Sequence, residues 1–475
     1  MKSIVTSTFT TLRSKHPTLT YRGYTLVRHG ETLQATFLID LEPSIQFRPT
    51  LSFPALSFSA LSFPATKIDE STLEPYLFHL GMVEILSYWK AACPPRVVID
   101  GYHLTEEERS WWHDLFIHGL GEFYFVNDID PSQEGLLTLE SRGDRPLPRS
   151  ARSSSPTKNG ELVLAAGGKD SSLALEMLKA FDPNARRETL MLNPSRSASE
   201  SITIAGYGDP IVVRRTIDRQ LIELNAKGYL NGHTPFSAYL AFLGTMVAEM
   251  RGLDSVIVSN ERSASEENTI FHGLAINHQY SKGIRFERRF RAYAAEHFPG
   301  CASYYSIIRP LYDLQVSGLF ARLAPHHLHS FRSCNVGQRD DRWCGKCPKC
   351  AFVCLTIAPF TSPDDRAAIF GSDLFEVPEI LSGIEELTGV RDHKPLECVG
   401  TLGESRDALV LTLARYRREG DPIPAGLEAI AKKLSDQHLL PSLDRARSTL
   451  TAWSDDHELP KVYAQRLRDL LKELA

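Results

Sequence analysis

Apolar and polar positions change their spacing several times along this chain of 475 residues. Residues 24–29 and 33–41 alternate with the period of two expected of half-buried strands, and Gly30-Glu31 between them suits the bend of a hairpin. Alternation at Thr18-Leu19-Thr20-Tyr21 predicts extended chain just before. Residues 76–92 read as a helix and 97–99 as a strand. The stretch 105–118 reads as a second helix, with Thr105 as cap and Glu108 at the reciprocating position. Residues 123–126 are expected to close this first unit as another strand. Beyond residue 160, short apolar runs at 162–164, 189–192, 211–213 and 256–258 alternate with helical periods. That rhythm predicts a parallel, doubly wound α/β sheet that binds ligands at the carboxyl ends of its strands. Residues 235–248 read as a buried helix, and 405–475 as helices broken at Pro422, Pro424 and Pro441.

Two stretches interrupt these periods. A pentad runs three times, Leu51-Ser-Phe-Pro-Ala, Leu56-Ser-Phe-Ser-Ala and Leu61-Ser-Phe-Pro-Ala. Pro54 and Pro64 argue against a helix or a central strand, so an expanded loop is expected over 51–65. A segment rich in Pro, Ser, Arg and Gly, beginning at Gly143 and ending at Gly160, reads as a linker. The expected organisation is an α+β unit over 1–145, a linker over 146–160, an α/β domain over 161–400 and a helical appendage over 401–475.

Composition narrows the function classes. A net charge of −5 argues against a broad nucleic-acid or membrane surface. The longest weakly polar run is too short to cross a bilayer. The first residues are rich in Ser and Thr and lack acids until Glu31, a weak likeness to an organellar leader, but they contain no apolar signal core. Five of the eight cysteines fall between Cys334 and Cys354, which suggests metal binding in a reducing compartment. A cytoplasmic protein acting on a small molecule is expected. No oligomeric state is legible.

The first candidate chemistry is Ala165-Ala166-Gly167-Gly168-Lys169-Asp170-Ser171-Ser172, set between an apolar run and a helical segment. Glycines there let backbone N–H groups converge at a helix N-terminus, which favours phosphate. Lys169 adds a cation, Asp170 a ligand for Mg²⁺, and the serines hydroxyls. A Walker A loop is excluded, because Asp170 follows Gly168-Lys169 and Val163 stands where the first glycine belongs. The stretch resembles the Ser-Gly-Gly-x-Asp-Ser loop of the ATP pyrophosphatase (PP-loop) family, with Ala166 at the usual serine. That resemblance implies an adenine nucleotide α-hydrolase-like fold and cleavage of ATP to AMP and pyrophosphate.

A second motif, Arg28-His29-Gly30-Glu31, matches the signature of histidine phosphatases. The alternation on both sides makes it a hairpin turn instead, and no α/β rhythm follows it.

Cys334, Cys344, Cys347 and Cys350 are spaced C-x9-C-x2-C-x2-C, with Cys354 beyond. Four thiolates suit a closed, structural zinc site. An iron–sulfur cluster on residues 344–354 is an alternative, although Leu355 replaces the expected proline. Unligated buried thiols are another. The arrangement resembles the zinc site of PP-loop enzymes that make 7-cyano-7-deazaguanine.

Three polar segments adjoin apolar runs: 225–237, 259–268 directly after a predicted strand, and 277–282. Arg214 and Arg215 follow the strand at 211–213 and could meet phosphates or a carboxylate. The phosphate loop, Asn231-Gly-His-Thr-Pro-Phe-Ser-Ala238, Ser259-Asn-Glu-Arg-Ser-Ala264, Asn277-His-Gln-Tyr-Ser-Lys282 and Lys394-Pro-Leu-Glu-Cys-Val-Gly-Thr401 resemble the UDP-N-acetyl-α-D-muramoyl-L-alanyl-L-glutamate epimerase family. Ser87-Tyr-Trp-Lys90, Trp111-Trp112 and Gly119-Leu-Gly-Glu-Phe123 fit it too, so the resemblance spans about residues 20–410.

The resemblance implies ATP-dependent inversion of the terminal L-glutamate of UDP-MurNAc-L-Ala-L-Glu for peptidoglycan synthesis. Adenylation would neutralise the carboxylate and make the α-proton removable. On this reading the loop 165–172 binds ATP, and Lys169 and Asp170–Mg²⁺ meet the leaving pyrophosphate. His278, Glu261 and Cys398 are candidates for proton transfer. Arg214, Asn231, His233, Asn260, Arg262, Gln279 and Lys282 are candidates for substrate binding. Another adenylating PP-loop enzyme, such as a deazaguanine-type ligase or an RNA-thiolating enzyme, and a non-catalytic zinc-stabilised nucleotide-binding protein stay open as alternatives.

Overall fold

A computed structural model describes residues 2–55, 70–150, 158–337, 340–391 and 394–474. The strands are β1 (Thr18–His29), β2 (Thr32–Leu41), β3 (Ile45–Phe47), β4 (Thr50–Pro54), β5 (Arg96–His103), β6 (Thr138–Pro146), β7 (Glu161–Leu164), β8 (Arg187–Leu192), β9 (Ile211–Thr216), β10 (Ser255–Val258), β11 (Thr269–Phe271), β12 (Leu274–Ile276) and β13 (Ser303–Ser306). Among the described residues, eleven of them share one sheet, ordered β13-β10-β7-β8-β9-β4-β2-β1-β5-β6 with β3 beside β2. The five from β13 to β9 are parallel. The remainder is mixed: β1 and β2 are antiparallel, whereas β1, β5 and β6 run parallel.

The strands predicted at 162–164, 189–192, 211–213 and 256–258 therefore form, and they do so with helices on both faces. Leu162 and Leu164 of β7 belong to one buried core and Val163 to the other, as a period of two requires. The helix Phe236–Arg251 packs into the first core and Lys169–Phe181 into the second. The chain is thus α/β, with a mixed N-terminal part and a helical C-terminal region. Helices Leu402–Glu419, Ala425–Asp436, Leu443–Leu450 and Lys461–Leu471 start and stop near the predicted prolines. They share the second core through Leu409, Leu427, Leu450 and Leu467.

The hairpin at Gly30 is as predicted: His29 faces Thr32, and Gly30 takes φ +60°. Thr105 and Glu108 form the expected capping box on Glu106–Gly119. Among the described residues, no helix is long and apolar enough to cross a membrane.

Two expectations fail. Residues 123–126 are not a strand but the end of a helix, Gly121–Val126. Leu120, Phe123 and Tyr124 are buried at i, i+3 and i+4, a helical spacing, and Phe116 lies in the preceding helix Glu106–Gly119. The first pentad is not a loop either. It is β4, which lies between β2 and β9 and joins the two parts of the sheet, with Leu51 opposite Ala35 and Arg215. Pro54 is tolerated because β9 pairs only with Thr50, Leu51 and Ser52, so its missing N–H costs no bond there. The other two pentads lie outside the described residues. The expected linker begins at Gly143, within β6, and its residues 151–157 are likewise outside them.

Candidate active site

Numbered within the parallel part alone, the strand order is 3-2-1-4-5, which reverses between β7 and β10. The crevice outside that reversal is where such sheets bind ligands. A cleft of about 260 Å³ lies there, walled by Ala165, Ala166, Gly168, Asp170 and Ser171 after β7, by Asn193 to Ser195 after β8, and by Ser259 and Asn260 after β10. Gly167 has φ +78°, and a Cβ on it would stand 2.4 Å from the Ala198 nitrogen. Only glycine fits this turn.

The helix Lys169–Phe181 points its N-terminus at the cleft. The two serines differ from the simple expectation of free hydroxyls. Ser171 donates to Gly168 O at 3.1 Å, and Ser172 is fully buried, bonded to Gly168 O and to Ser201. What this turn can offer an anion is therefore mainly backbone N–H groups and the helix end.

Beside the loop, Asp170, Glu261 and Asp313 bring three carboxylate oxygens within 4.8 Å of one another. Lys169 lies among them, 2.5 Å from Asp170 and 2.8 Å from Asp313. Burial disfavours its ammonium, but the two carboxylates overcome this and hold it charged. Burial also raises Asp313, with Lys169 opposing. Three hard oxygens beside a phosphate loop fit a divalent cation of the Mg²⁺ type. Glu261 is thus placed in an acidic group, and Asp313 is a member that the sequence did not reveal. It opens the helix Asp313–Leu323 and follows β13, whose Ser-Tyr-Tyr-Ser sequence has no aliphatic run to mark it as a strand.

A second cluster meets the cleft through one residue. Lys282 lines the cleft and donates to Cys398 Sγ at 3.3 Å. Lys349 binds the Cys398 carbonyl, and His278 bonds to both Cys398 and Glu122. Burial alone would push the Cys398 thiol up, but Lys282, His278 and Lys349 together bring it down to about 6. His278 loses basicity by burial and regains more from Cys398 and Glu122, ending at about 9. The pair is a thiolate beside an imidazolium across neutral pH. His233 lies against His278 with ring centres 4.2 Å apart and the rings tilted by 42°, and burial together with that cation lowers its pKa. Glu122 went unassigned in the sequence because its segment reads as a strand.

The other expected contacts divide. Asn260 lines the cleft. Gln279 is buried and donates to Val399 O, holding the loop that carries Cys398. Asn231 and Arg215 line a neighbouring cavity, and Arg215 is occupied by Glu84 at 2.8 Å. Arg262 lies over the Tyr312 ring at 4.5 Å and lines a different cavity again. Arg214 is exposed on β9 and is not among the residues that line the cleft.

Cys334, Cys344, Cys347 and Cys350 converge, with Sγ separations of 3.9 Å (334–347), 3.8 Å (344–350) and 3.6 Å (347–350). Zn–S bonds of about 2.3 Å arranged tetrahedrally would give edges of about 3.8 Å, so one metal ion fits. Cys354 is buried outside this group, which removes the ligand that the ferredoxin-type alternative needs.

Comparison with known proteins identifies the family. Residues 10–307 match the MurL N-terminal domain and residues 330–440 the MurL C-terminal domain. The chain belongs to the MurL epimerase family. It is 31% identical over 464 residues to the UDP-N-acetyl-alpha-D-muramoyl-L-alanyl-L-glutamate epimerase of Xanthomonas oryzae pv. oryzae, covering 96% of this chain and 98% of that one. It is 34% identical to the enzyme of the same name from Micromonospora sp. over 404 residues (84% and 86%). The Salinispora tropica enzyme of that name is 36% identical over 352 residues (72% and 74%). No solved structure matches the chain significantly.

Proposed function

We propose that this MurL-family chain inverts the terminal L-glutamate of UDP-MurNAc-L-Ala-L-Glu for peptidoglycan synthesis, and that it does so by adenylating the α-carboxylate on a PP-loop-type fold. The observation that carries the mechanism is Lys282, which reaches from the nucleotide cleft to the Cys398 sulfur. It couples a site suited to phosphates to a site suited to proton transfer.

ATP is a consumed reactant in this scheme. A carboxylate oxygen of the substrate bonds to the α-phosphorus, and the bond to the pyrophosphate oxygen breaks. Backbone N–H groups after β7 and the helix N-terminus receive the phosphates. Mg²⁺, held by Asp170, Glu261 and Asp313, would supply charge neutralisation for the departing pyrophosphate. Lys169 fixes two of those carboxylates in place. Glu261 serves there rather than as the base, because its carboxylate belongs to the acidic group.

The acyl adenylate no longer carries the negative carboxylate that opposes carbanion formation. The Cys398 thiolate takes the α-proton, leaving an enolate whose charge lies on oxygen. His278 keeps the sulfur ionised, and Glu122 orients His278. A proton drawn from solvent is delivered to the opposite face, the Cys398 thiol returns its own proton to solvent, and water then releases AMP and the D-glutamate product. Cys334, Cys344, Cys347 and Cys350 would hold a zinc ion in a structural role, as four thiolates suit.

The test is incubation with ATP, Mg²⁺ and UDP-MurNAc-L-Ala-L-Glu in D₂O. D-glutamate bearing α-deuterium, with AMP in step with product, is the expected result. AMP without inversion would move the activity to another adenylating reaction. Inversion without AMP would remove the adenylation step.

A further inference from the structure

Next to the nucleotide cleft, and sharing Phe236 with it, is a second cavity of about 270 Å³. Ser87, Lys90, Arg215, Asn225, Gly232 and Tyr239 are among its walls. Lys90 is 5% exposed, and its ammonium donates to the Gly232 carbonyl. Among the described residues, no carboxylate pairs with it. Two of its three donors are therefore left for something else.

Arg215 is not available in the same way. Both arms of its guanidinium engage Glu84 at 2.8 Å, and it reaches Ser87 at 3.2 Å. The cation that this cavity offers is Lys90. Burial and the nearby Arg215 both act against its charge and bring its pKa down to about 8. A buried ammonium in that position gains from an anion more than an exposed one does. Asn225 and Tyr239 each carry a buried oxygen without a partner, so the walls are polar beyond their internal needs.

The cavity is also next to the proton-transfer cluster. Gly232, which holds Lys90, precedes His233, and the His233 ring lies against His278, the partner of Cys398. The Lys90 charge is felt at His233. A group held at Lys90 would thus lie beside that cluster.

On the reading proposed above, the substrate ends in an amino acid with two carboxylates. One is adenylated and loses its charge. The other keeps it, and must be held so that the two are not exchanged at the phosphate loop. We propose that Lys90 receives the γ-carboxylate of the terminal glutamate and so determines which of the two carboxylates is activated. This makes Lys90 a specificity-determining residue and the second cavity the side-chain subsite.

The experiment compares UDP-MurNAc-L-Ala-L-Glu with UDP-MurNAc-L-Ala-L-Gln, in which the γ-carboxylate becomes a neutral amide. Epimerisation kcat/KM is measured with ATP and Mg²⁺ for the wild type, Lys90→Met and Lys90→Arg. The wild type is expected to prefer glutamate by about 100-fold, Lys90→Met to lose that preference, and Lys90→Arg to keep most of it. A Lys90→Met enzyme that still prefers glutamate, or one that loses both substrates equally, overturns the assignment. Should Lys90→Met fail to fold, a wild type that accepts both substrates alike overturns it as well. Inversion of the glutamate substrate by the wild type tests the underlying activity separately, and the glutamate-to-glutamine ratio tests only the subsite.

Discussion

The chemistry of Cys398 depends on its neighbours rather than on its own side chain. A buried thiol is ordinarily inert, and burial pushes Cys93 and Cys354 in that direction. Cys398 departs from them because three cations converge on it, with Lys282 at 3.3 Å. Cys398→Ala is expected to reduce epimerisation by about 10²–10⁴-fold while AMP formation persists, since adenylation needs no thiolate. Coupled assays for AMP and for D-glutamate separate the two. The pH profile follows from the same pair. The thiolate forms as pH rises through about 6, and the imidazolium is lost as pH rises through about 9. The kcat/KM for inversion should therefore climb on the acid side near 6 and fall near 9, the two limbs belonging to the coupled pair. His278→Gln should move the acid limb upward, because the sulfur would then lose one of the cations that ionise it. A profile flat across the acid limb would remove Cys398 from the proton-transfer step.

At the scale of elements, the phosphate turn is the part that a single methyl group would break. Gly167→Ala would set a Cβ 2.4 Å from the Ala198 nitrogen while φ stays at +78°. Backbone cannot yield there as a side-chain tip can, so a loss of about 1–3 kcal/mol in stability is expected, together with loss of AMP formation. Thermal denaturation and an AMP assay check both. This turn was legible because strand, glycines and helix start are contiguous in sequence. The cysteine cluster was legible for the same reason, as four ligands within seventeen positions whose x2 spacings place the sulfurs together. Asp313 and Glu122 were not, because each is brought to the site by an element with misleading local sequence. Asp313 opens the helix Asp313–Leu323 and is reached through Ser303–Ser306, which has the composition of a loop and becomes a strand by pairing with β10. Gly121–Val126 has the aromatic content of a strand and becomes a helix with Leu120, Phe123 and Tyr124 buried on one side. Chelation of the cysteine-bound metal is expected to lower the melting temperature, since the ligands anchor the chain before Pro348–Ile357 to a helix of the second core.

Across the whole molecule, β4 is the piece that turns two sequence units into one folded body. It pairs with β2 on one side and β9 on the other, so the sheet continues from the mixed half into the parallel half. No local signal marked it, since the same pentad that reads as a loop is held extended by partners on both edges. The junction is also locked by charge. Glu84, from the helix Glu74–Trp89, is fully buried against Arg215 of β9, with Ser87 as a third partner. Removing one member of such a pair leaves the other charged and without compensation. Glu84→Gln should therefore cost about 3–5 kcal/mol, well beyond an ordinary surface change. Its site of action distinguishes it from a local defect. Trp89, Trp111 and Trp112 report on the N-terminal part, while Trp343 and Trp453 report on the C-terminal part. Urea denaturation followed with either set retained should give one shared transition in the wild type, and a shared transition at lower urea in Glu84→Gln. Separate midpoints would mean that the sheet junction does not couple the halves. The coupling bears on the proposed side-chain subsite, because the walls of that cavity come from both halves, Lys90 from one and the Glu84-bound Arg215 from the other.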